Sequence, residues 1–201
     1  MTQRAFSWMN PKLEIRPAPR YGRASGKGVF ATVPVRKGET LFVMGGYILN
    51  IADENRLRGV VADKPIEISE DFSIGPLKPS DLARMPQHWV NHSCDPNAGF
   101  DGQIFMVAMR SIRAGSEVVY DYGMVMHPNE ESDTYFSFAC LCGSPKCRGT
   151  ITEDDWRRPE LQKRYDGYFQ HFLQKKIDKL KAIDHAVQIL GALDRKAQCR
   201  D

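Results

Sequence analysis

The sequence predicts a mainly β domain followed by a helical tail, and three observations carry that expectation. Short apolar runs, each bounded by glycine, proline or polar turn residues, recur from Leu13 to Phe138, as expected of many short strands. Three cysteines then crowd into Cys140-Leu141-Cys142-Gly143-Ser144-Pro145-Lys146-Cys147. From Asp154 onward the period changes. Ile177, Leu180, Ile183, Val187, Leu190 and Leu193 fall at helical spacing with Lys and Asp between them.

A chain of 201 residues fits one domain, or one domain with an appendage. At 42% hydrophobic and 26% charged it has globular composition and can bury a sizeable core. Its net charge of +3 is mild, without the clustered basic face that would point to direct nucleic-acid contact. No early segment reads as a secretory signal, and no run approaches the roughly 20 apolar residues of a membrane span. Five cysteines, an odd number, favour a reducing compartment with metal-bound or free thiols over a disulfide framework. A cytoplasmic or nuclear protein is expected, with export to a host cell as the alternative.

The elements follow in order. Leu13-Glu14-Ile15 alternates and predicts a short strand after a lead-in containing Trp8 and Pro11. Tyr21 to Ala31 sets three glycines (Gly22, Gly26, Gly28) at the start of an apolar strand. A Gly-rich turn frees backbone N–H groups and lets the backbone approach a ligand, although a plain hairpin turn has the same pattern. Val35 to Glu39 is a turn, followed by strands over Thr40–Met44 and Tyr47–Leu49. Residues 50–80 are polar, broken by Pro65, Pro76 and Pro79, and read as an insertion with short strands such as Ile66-Glu67-Ile68. Gln103–Met109 is a strand. Ile112 to Glu117 repeats the turn chemistry of Val35 to Glu39, and Val118 to Gly123 is a strand ending at glycine. An irregular acidic loop then leads to Phe136-Ser137-Phe138, and Asp154-Asp155 reads as a helix start.

Between apolar flanks lies Asn91-His92-Ser93-Cys94-Asp95-Pro96-Asn97, a compact polar stretch. Its Asn, Ser and Asp side chains can bond nearby backbone and hold one fixed loop conformation. Downstream, the C-x-C-x4-C cluster suits a metal knuckle, because the Gly-Ser-Pro turn folds thiolates toward one point. Structural zinc takes four Cys or His ligands in tetrahedral geometry, so three cysteines are one short. The fourth candidates are Cys94, Cys199, His88, His92, His127, His171 and His185. Cys94 is preferred, since its loop is rigid while Cys199 lies by the terminus.

Taken in order, Gly26-Lys27-Gly28-Val29-Phe30-Ala31, Asn91 to Asn97, Gly115-Ser116-Glu117-Val118-Val119-Tyr120-Asp121-Tyr122-Gly123 and the cysteine cluster resemble a SET-domain protein lysine methyltransferase with a post-SET zinc cluster. The resemblance covers roughly residues 12–152, and the length is that of small single-domain members, including bacterial ones. It implies small β-sheets around a pseudoknot, in which the Asn91 segment threads beside Tyr120 to Gly123, an exception to the usual rule against threading. It divides the chain into a SET domain at 12–123 with an insert at about 50–80, a post-SET cluster at 136–152 and a C-terminal helical extension at 153–201.

The resemblance also implies S-adenosylmethionine as methyl donor and one structural zinc ion on Cys94, Cys140, Cys142 and Cys147. The backbone of Lys27, Gly28 and Val29 would hold the donor's amino-acid end. Asn91 and His92 would contact its amino group and adenine, with Trp89 packed nearby and Ile151 covering the adenine, assisted by Trp156. Tyr122 matches the active-site tyrosine, in reach of both donor and substrate. Transfer to lysine needs a neutral amine, whose free pKa is about 10.4, and desolvation beside a sulfonium disfavours the ammonium. Alignment is then the protein's main task. Tyr120 stands where the family has Phe or Tyr, and its hydroxyl implies mono- or dimethylation.

The expected partner is a lysine-containing protein or peptide, a histone or another basic protein, and the helical tail suggests packing or a homodimer. Met44-Gly45-Gly46-Tyr47 departs from the Tyr-x-Gly-Glu of many members. Two other readings remain at this point. In one, a catalytically weak SET fold serves as a zinc-scaffolded peptide-binding module, which retention of Asn91, His92 and Tyr122 argues against. In the other, the cluster is a nucleic-acid knuckle, for which Lys146 and Arg148 supply too small a phosphate footprint.

Overall fold

Glycine and proline punctuation cuts the chain into short strands. The computed structural model describes residues 6–18, 26–62, 64–128 and 135–198. Its first elements are β1 (Trp8–Met9), β2 (Leu13–Pro17), β3 (Lys27–Ala31), β4 (Thr40–Val43) and β5 (Tyr47–Asn50). The insert supplies α1 (Ile51–Glu54), β6 (Ile66–Glu67) and β7 (Phe72–Gly75). Then come β8 (Asn91–His92), β9 (Ala98–Asp101), β10 (Phe105–Ala108), β11 (Glu117–Tyr120), β12 (Ser137–Ala139) and β13 (Thr150–Thr152). The tail holds α2 (Pro159–Arg164) and α3 (His171–Gln198).

These strands make small sheets, as the resemblance leads one to expect. One runs in the order β1-β4-β10-β9, a second β2-β3-β11-β8, and the insert forms β5-β7-β6, with β12 and β13 as a hairpin. All pairings are antiparallel except β8 with β11. Leu41, Phe42, Val29, Phe100, Met106 and Val118, from the first two sheets, are buried together in the main hydrophobic core. The two similar turns are indeed related. Gly38 and Gly115 adopt φ of 82° and 79°, a region favouring glycine, and Val35 and Ile112 exchange N–H···O bonds of 2.9 Å in each direction.

Asn97 explains how the polar stretch stays fixed inside an apolar core. Its side-chain amide donates to the Glu117 carbonyl at 2.7 Å, and its side-chain oxygen accepts the Val119 N–H at 2.9 Å. Its own N–H donates to the Val119 carbonyl at 3.0 Å, and the Ser93 N–H donates to Tyr120 at 3.0 Å. One asparagine therefore satisfies buried backbone groups that strand pairing leaves free.

Three expectations need correction. The strand through Tyr122 ends at Tyr120, because Tyr122–Met124 turn into a 3-10 helix capped by Asp121, whose side chain accepts the Gly123 N–H. Asp154-Asp155 does not start the long helix. A 3-10 turn at Asp155–Arg157 and α2 come first, Gly167 with φ of 76° redirects the chain, and α3 begins at His171. The helical spacing itself is real. Leu173 and Ile177 are 0% and 1% exposed, whereas Ile183, Val187 and Leu190 are 50%, 62% and 63% exposed. The insert also contains α1, started by Asn50, whose side chain accepts the Asp53 N–H. No helix among the described residues is long and apolar enough to cross a membrane.

Candidate active site

Parallel pairing of β8 with β11 sets Asn91 opposite Val119 and His92 opposite Tyr120. The polar pair and the two tyrosines thus meet at one strand end. The Asn91 amide nitrogen donates to the Lys27 carbonyl at 2.9 Å and to Glu117 Oε1 at 2.7 Å, which ties β8 to β3. Gly28 is needed for space. A Cβ there would lie 2.4 Å from Glu117 Oε1, 3.0 Å from Ala18 Cβ and 3.1 Å from Asn91 Nδ2. Gly28→Ala is therefore expected to cost about 1–3 kcal/mol through overpacking. A lower urea midpoint would report it, and an unchanged midpoint would show that Glu117 swings aside freely. Val29 is buried beside Gly28, and the Lys27 ammonium lies 4.7 Å over the Trp89 ring. Tyr21 to Ser25 of the Gly-rich stretch lie outside the described residues.

His92 is buried, and burial takes its pKa down to about 4 against the opposing pull of Asp121. The ring is neutral at neutral pH, so Nδ1 accepts the Tyr122 N–H at 3.2 Å. His92 also meets the Tyr122 ring edge-on at 5.2 Å. Tyr120 and Tyr122 have ring centroids 4.9 Å apart, and Phe100 meets Tyr120 at 5.6 Å. Burial raises the Tyr120 phenol well above its ordinary value, with the charges of Tyr122, Glu67 and Asp121 adding to it. Tyr120 is therefore an O–H donor at neutral pH. The Tyr122 hydroxyl lies 3.4 Å from the Val90 carbonyl oxygen.

The sulfur atoms of Cys94, Cys140, Cys142 and Cys147 all lie within 4.8 Å of one another. Cys94 and Cys140 are buried, Cys142 is half-buried and Cys147 is exposed. Four thiols converging from two distant segments could hold a metal ion, and an all-sulfur donor set of this kind is one that structural zinc accepts. Backbone N–H groups point at the sulfurs, from Arg148 to Cys94 and from Gly149 to Cys147, each at 3.4 Å. Burial pushes the Cys94 thiol up to about 11; at Cys142 burial also raises the thiol, but backbone hydrogen bonds from Cys94 and Ser144 together with the Cys140 and Cys147 side chains outweigh it and bring it down to about 7. A cation would favour the thiolate at all four, and the residues fit a metal ion. Among the histidines proposed as the fourth ligand, none joins this group, and Cys199 lies outside the described residues.

Ile151 is fully buried and packs with Cys94 and Cys140, against Tyr122 and Phe138. Trp156 is buried in the main core. Phe138 went unrecognised in the sequence, yet its ring stands 5.9 Å from both Tyr122 and His92. Its signal was the aromatic alternation of Phe136 and Phe138 directly before Cys140. Asp121 was also missed, because a carboxylate between two tyrosines gives no hint of burial.

The SET domain family matches residues 26–123, from just before β3 to the turn that carries Tyr122. Over that stretch the chain is similar to a SET domain. Among its relatives is "Histone-lysine N-methyltransferase, H3 lysine-9 specific dim-5" of Neurospora crassa, 26% identical over 137 residues, covering 60% of this chain and 37% of the relative. The "N-lysine methyltransferase KMT5A-A" of Danio rerio is 31% identical over 118 residues, 52% of this chain and 34% of that protein. The "Histone-lysine N-methyltransferase, H3 lysine-4 specific" of Schizosaccharomyces pombe is 32% identical over 137 residues, 62% and 14% of the two chains. The chain spans 37% or less of the length of these relatives.

Proposed function

We propose that this protein is an S-adenosylmethionine-dependent protein-lysine N-methyltransferase that adds one or two methyl groups to a lysine of a histone or other basic protein. The observation that carries the reading is the meeting of Asn91 and His92 with Tyr120, Tyr122 and Phe138 at the end of β11, directly against the four-cysteine group. The relatives' names support the same reading. The bound donor would supply a methyl group on a positively charged sulfur.

The residues of this chain do the rest. Lys27, Gly28, Val29, Asn91 and His92 would bind the donor, with Trp89 and Ile151 excluding water from its apolar faces. Zinc on the four thiolates would hold residues 136–152 against them. Tyr122 Oη and the Val90 carbonyl would orient the amine, and the aromatic rings of Tyr120, Tyr122 and Phe138 would desolvate it, favouring the neutral form. Glu67 on β6 is close enough to raise the Tyr120 phenol, and burial holds Glu67 itself up to about 8. Incubation of the purified protein with labelled donor and basic protein mixtures tests the activity. Absence of label in every mixture, with donor binding also absent by calorimetry, would overturn it.

Tyr120 sets the expected product. Its hydroxyl can hold a water beside the amine and leave little room for a methylated one. The wild-type protein is expected to stop at mono- or dimethyl-lysine, and Tyr120→Phe to add a further methyl group. Mass spectrometry of product formed with excess donor checks this, and dominant trimethyl-lysine from the wild-type protein would overturn it.

A further inference from the structure

Asp121, between the two tyrosines, is 0% exposed and every acceptor position on it is used. Oδ1 accepts Arg148 Nη2 at 2.8 Å and the Gly123 N–H at 3.0 Å. Oδ2 accepts Arg148 Nη1 at 2.5 Å and the Tyr165 hydroxyl at 2.9 Å. A carboxylate offers about four lone-pair sites, so this one has none left for a reacting group. Asp121 is an orienting group, and its own orientation is set by Arg148 and Tyr165, which follow the cysteine group in sequence.

Arg148 follows Cys147 and is 6% exposed on its side chain, with Asp155 at 5%. Arg148 Nη2 and Nε bond Asp155 Oδ2 at 2.9 and 3.2 Å, so one guanidinium grips two carboxylates. Tyr165 caps α2, and its hydroxyl also lies 3.4 Å from the Cys94 carbonyl; its single proton goes to the nearer Asp121. A buried ion set of this kind is weak support for stability, because apolar replacement is often neutral or better. Its strength is geometric. A bidentate fork fixes the plane of the carboxylate it holds.

We propose that Arg148, Asp155 and Tyr165 are positioning residues which set Tyr122 through Asp121, so that the segment after the cysteine group is part of the active site. This rests on the methyltransferase reading. The Asp121–Gly123 bond turns the chain out of β11 at Tyr122, and fixing Asp121 fixes where Tyr122 Oη stands. Losing one hydrogen bond to Asp121 lets that turn rock while the fold persists.

Tyr165→Phe keeps the ring and removes only the bond to Asp121. Its kcat is expected to fall about tenfold, with donor KM within about twofold, as for a loss of alignment without loss of binding. Arg148→Lys, which keeps the charge and loses the fork, should show the same split more strongly, with metal content unchanged in both. Hydrogen exchange gives a readout that needs no turnover. Amides of 122–124 should exchange faster in both variants, while those of β10 do not change. Unchanged kcat with unchanged exchange would overturn the proposal, and so would a uniform rise in exchange with metal loss, which marks a purely structural role. Failure of the wild-type protein to transfer methyl groups would sink the functional reading instead, and exchange at 122–124 would still decide the clamp.

Discussion

Tyr122→Phe is expected to lower kcat by about 10²–10³-fold, the range for removing one preorganised hydrogen-bonding group at a reacting centre. The ring would stay where it is, because its contacts with Tyr120, His92 and Phe138 involve faces and edges rather than the hydroxyl. The backbone would also stay, held by the Tyr122 N–H on His92 Nδ1. Only Oη is lost, 3.4 Å from the Val90 carbonyl. That pair is a polar feature on a largely aromatic surface around the proposed amine position. Without Oη the amine keeps its desolvation and loses its direction, so the deficit belongs in kcat rather than in donor affinity. Single-turnover transfer with saturating donor measures it directly, and calorimetry should find donor affinity within about twofold of wild type. A single-turnover rate equal to wild type would remove Tyr122 from the proposed role.

How much of this could be read from the chain varies with the physics behind each feature. The cysteine group was legible because coordination has arithmetic: three thiols in a tight turn call for a fourth ligand, and Cys94 stood in a loop already expected to be rigid. The parallel contact of Asn91–His92 with β11 was accessible only through resemblance, since a two-residue strand has no periodicity to detect. Ala98–Asp101 was missed as a strand for a related reason. Ala98 and Gly99 carry almost no β-propensity, and the strand forms because β10 lies beside it, with Tyr168 Cβ 2.8 Å from where a Gly99 Cβ would stand. The Arg148–Asp121–Asp155 ion set was illegible in principle. Charged residues default to solvent, and only the folded chain shows that these three are buried together.

Those illegible contacts change how the proposed donor site depends on the cysteine group. Cys94 belongs to the same loop as Asn91 and His92, and its sulfur lies 3.4 Å from His92 Nε2. Lys146 Nζ holds Asp95 at 2.8 Å, and Arg148, next to Cys147, reaches Asp121 at 2.8 Å. The knuckle therefore grips the motif loop at several points. With a metal ion bound to the four thiols, release of any one of them would be expected to loosen both the loop and the segment that carries Phe138 and Ile151.

Cys94→Ser is accordingly expected to lower metal content and donor affinity together. Structural zinc contributes apparent binding free energies of about 10–16 kcal/mol in small zinc-binding peptides, so loss of one thiolate ligand removes a large part of what orders residues 136–152. Serine is close in size to cysteine but is a much poorer zinc ligand at neutral pH. Donor affinity should fall at least about tenfold, because Ile151 and Phe138 lose their anchorage while Asn91 keeps its bonds to Lys27 and Glu117. A strong chelator should reproduce the effect in the wild-type protein, and zinc should reverse it. Cys199→Ser serves as the control, with metal content unchanged. Elemental analysis and calorimetry on the same preparations separate the outcomes. Retained metal would remove Cys94 from the ligand set. Lost metal with intact donor affinity would mean that the loop is rigid without its fourth sulfur, held by hydrogen bonds such as those of Asn97 to β11.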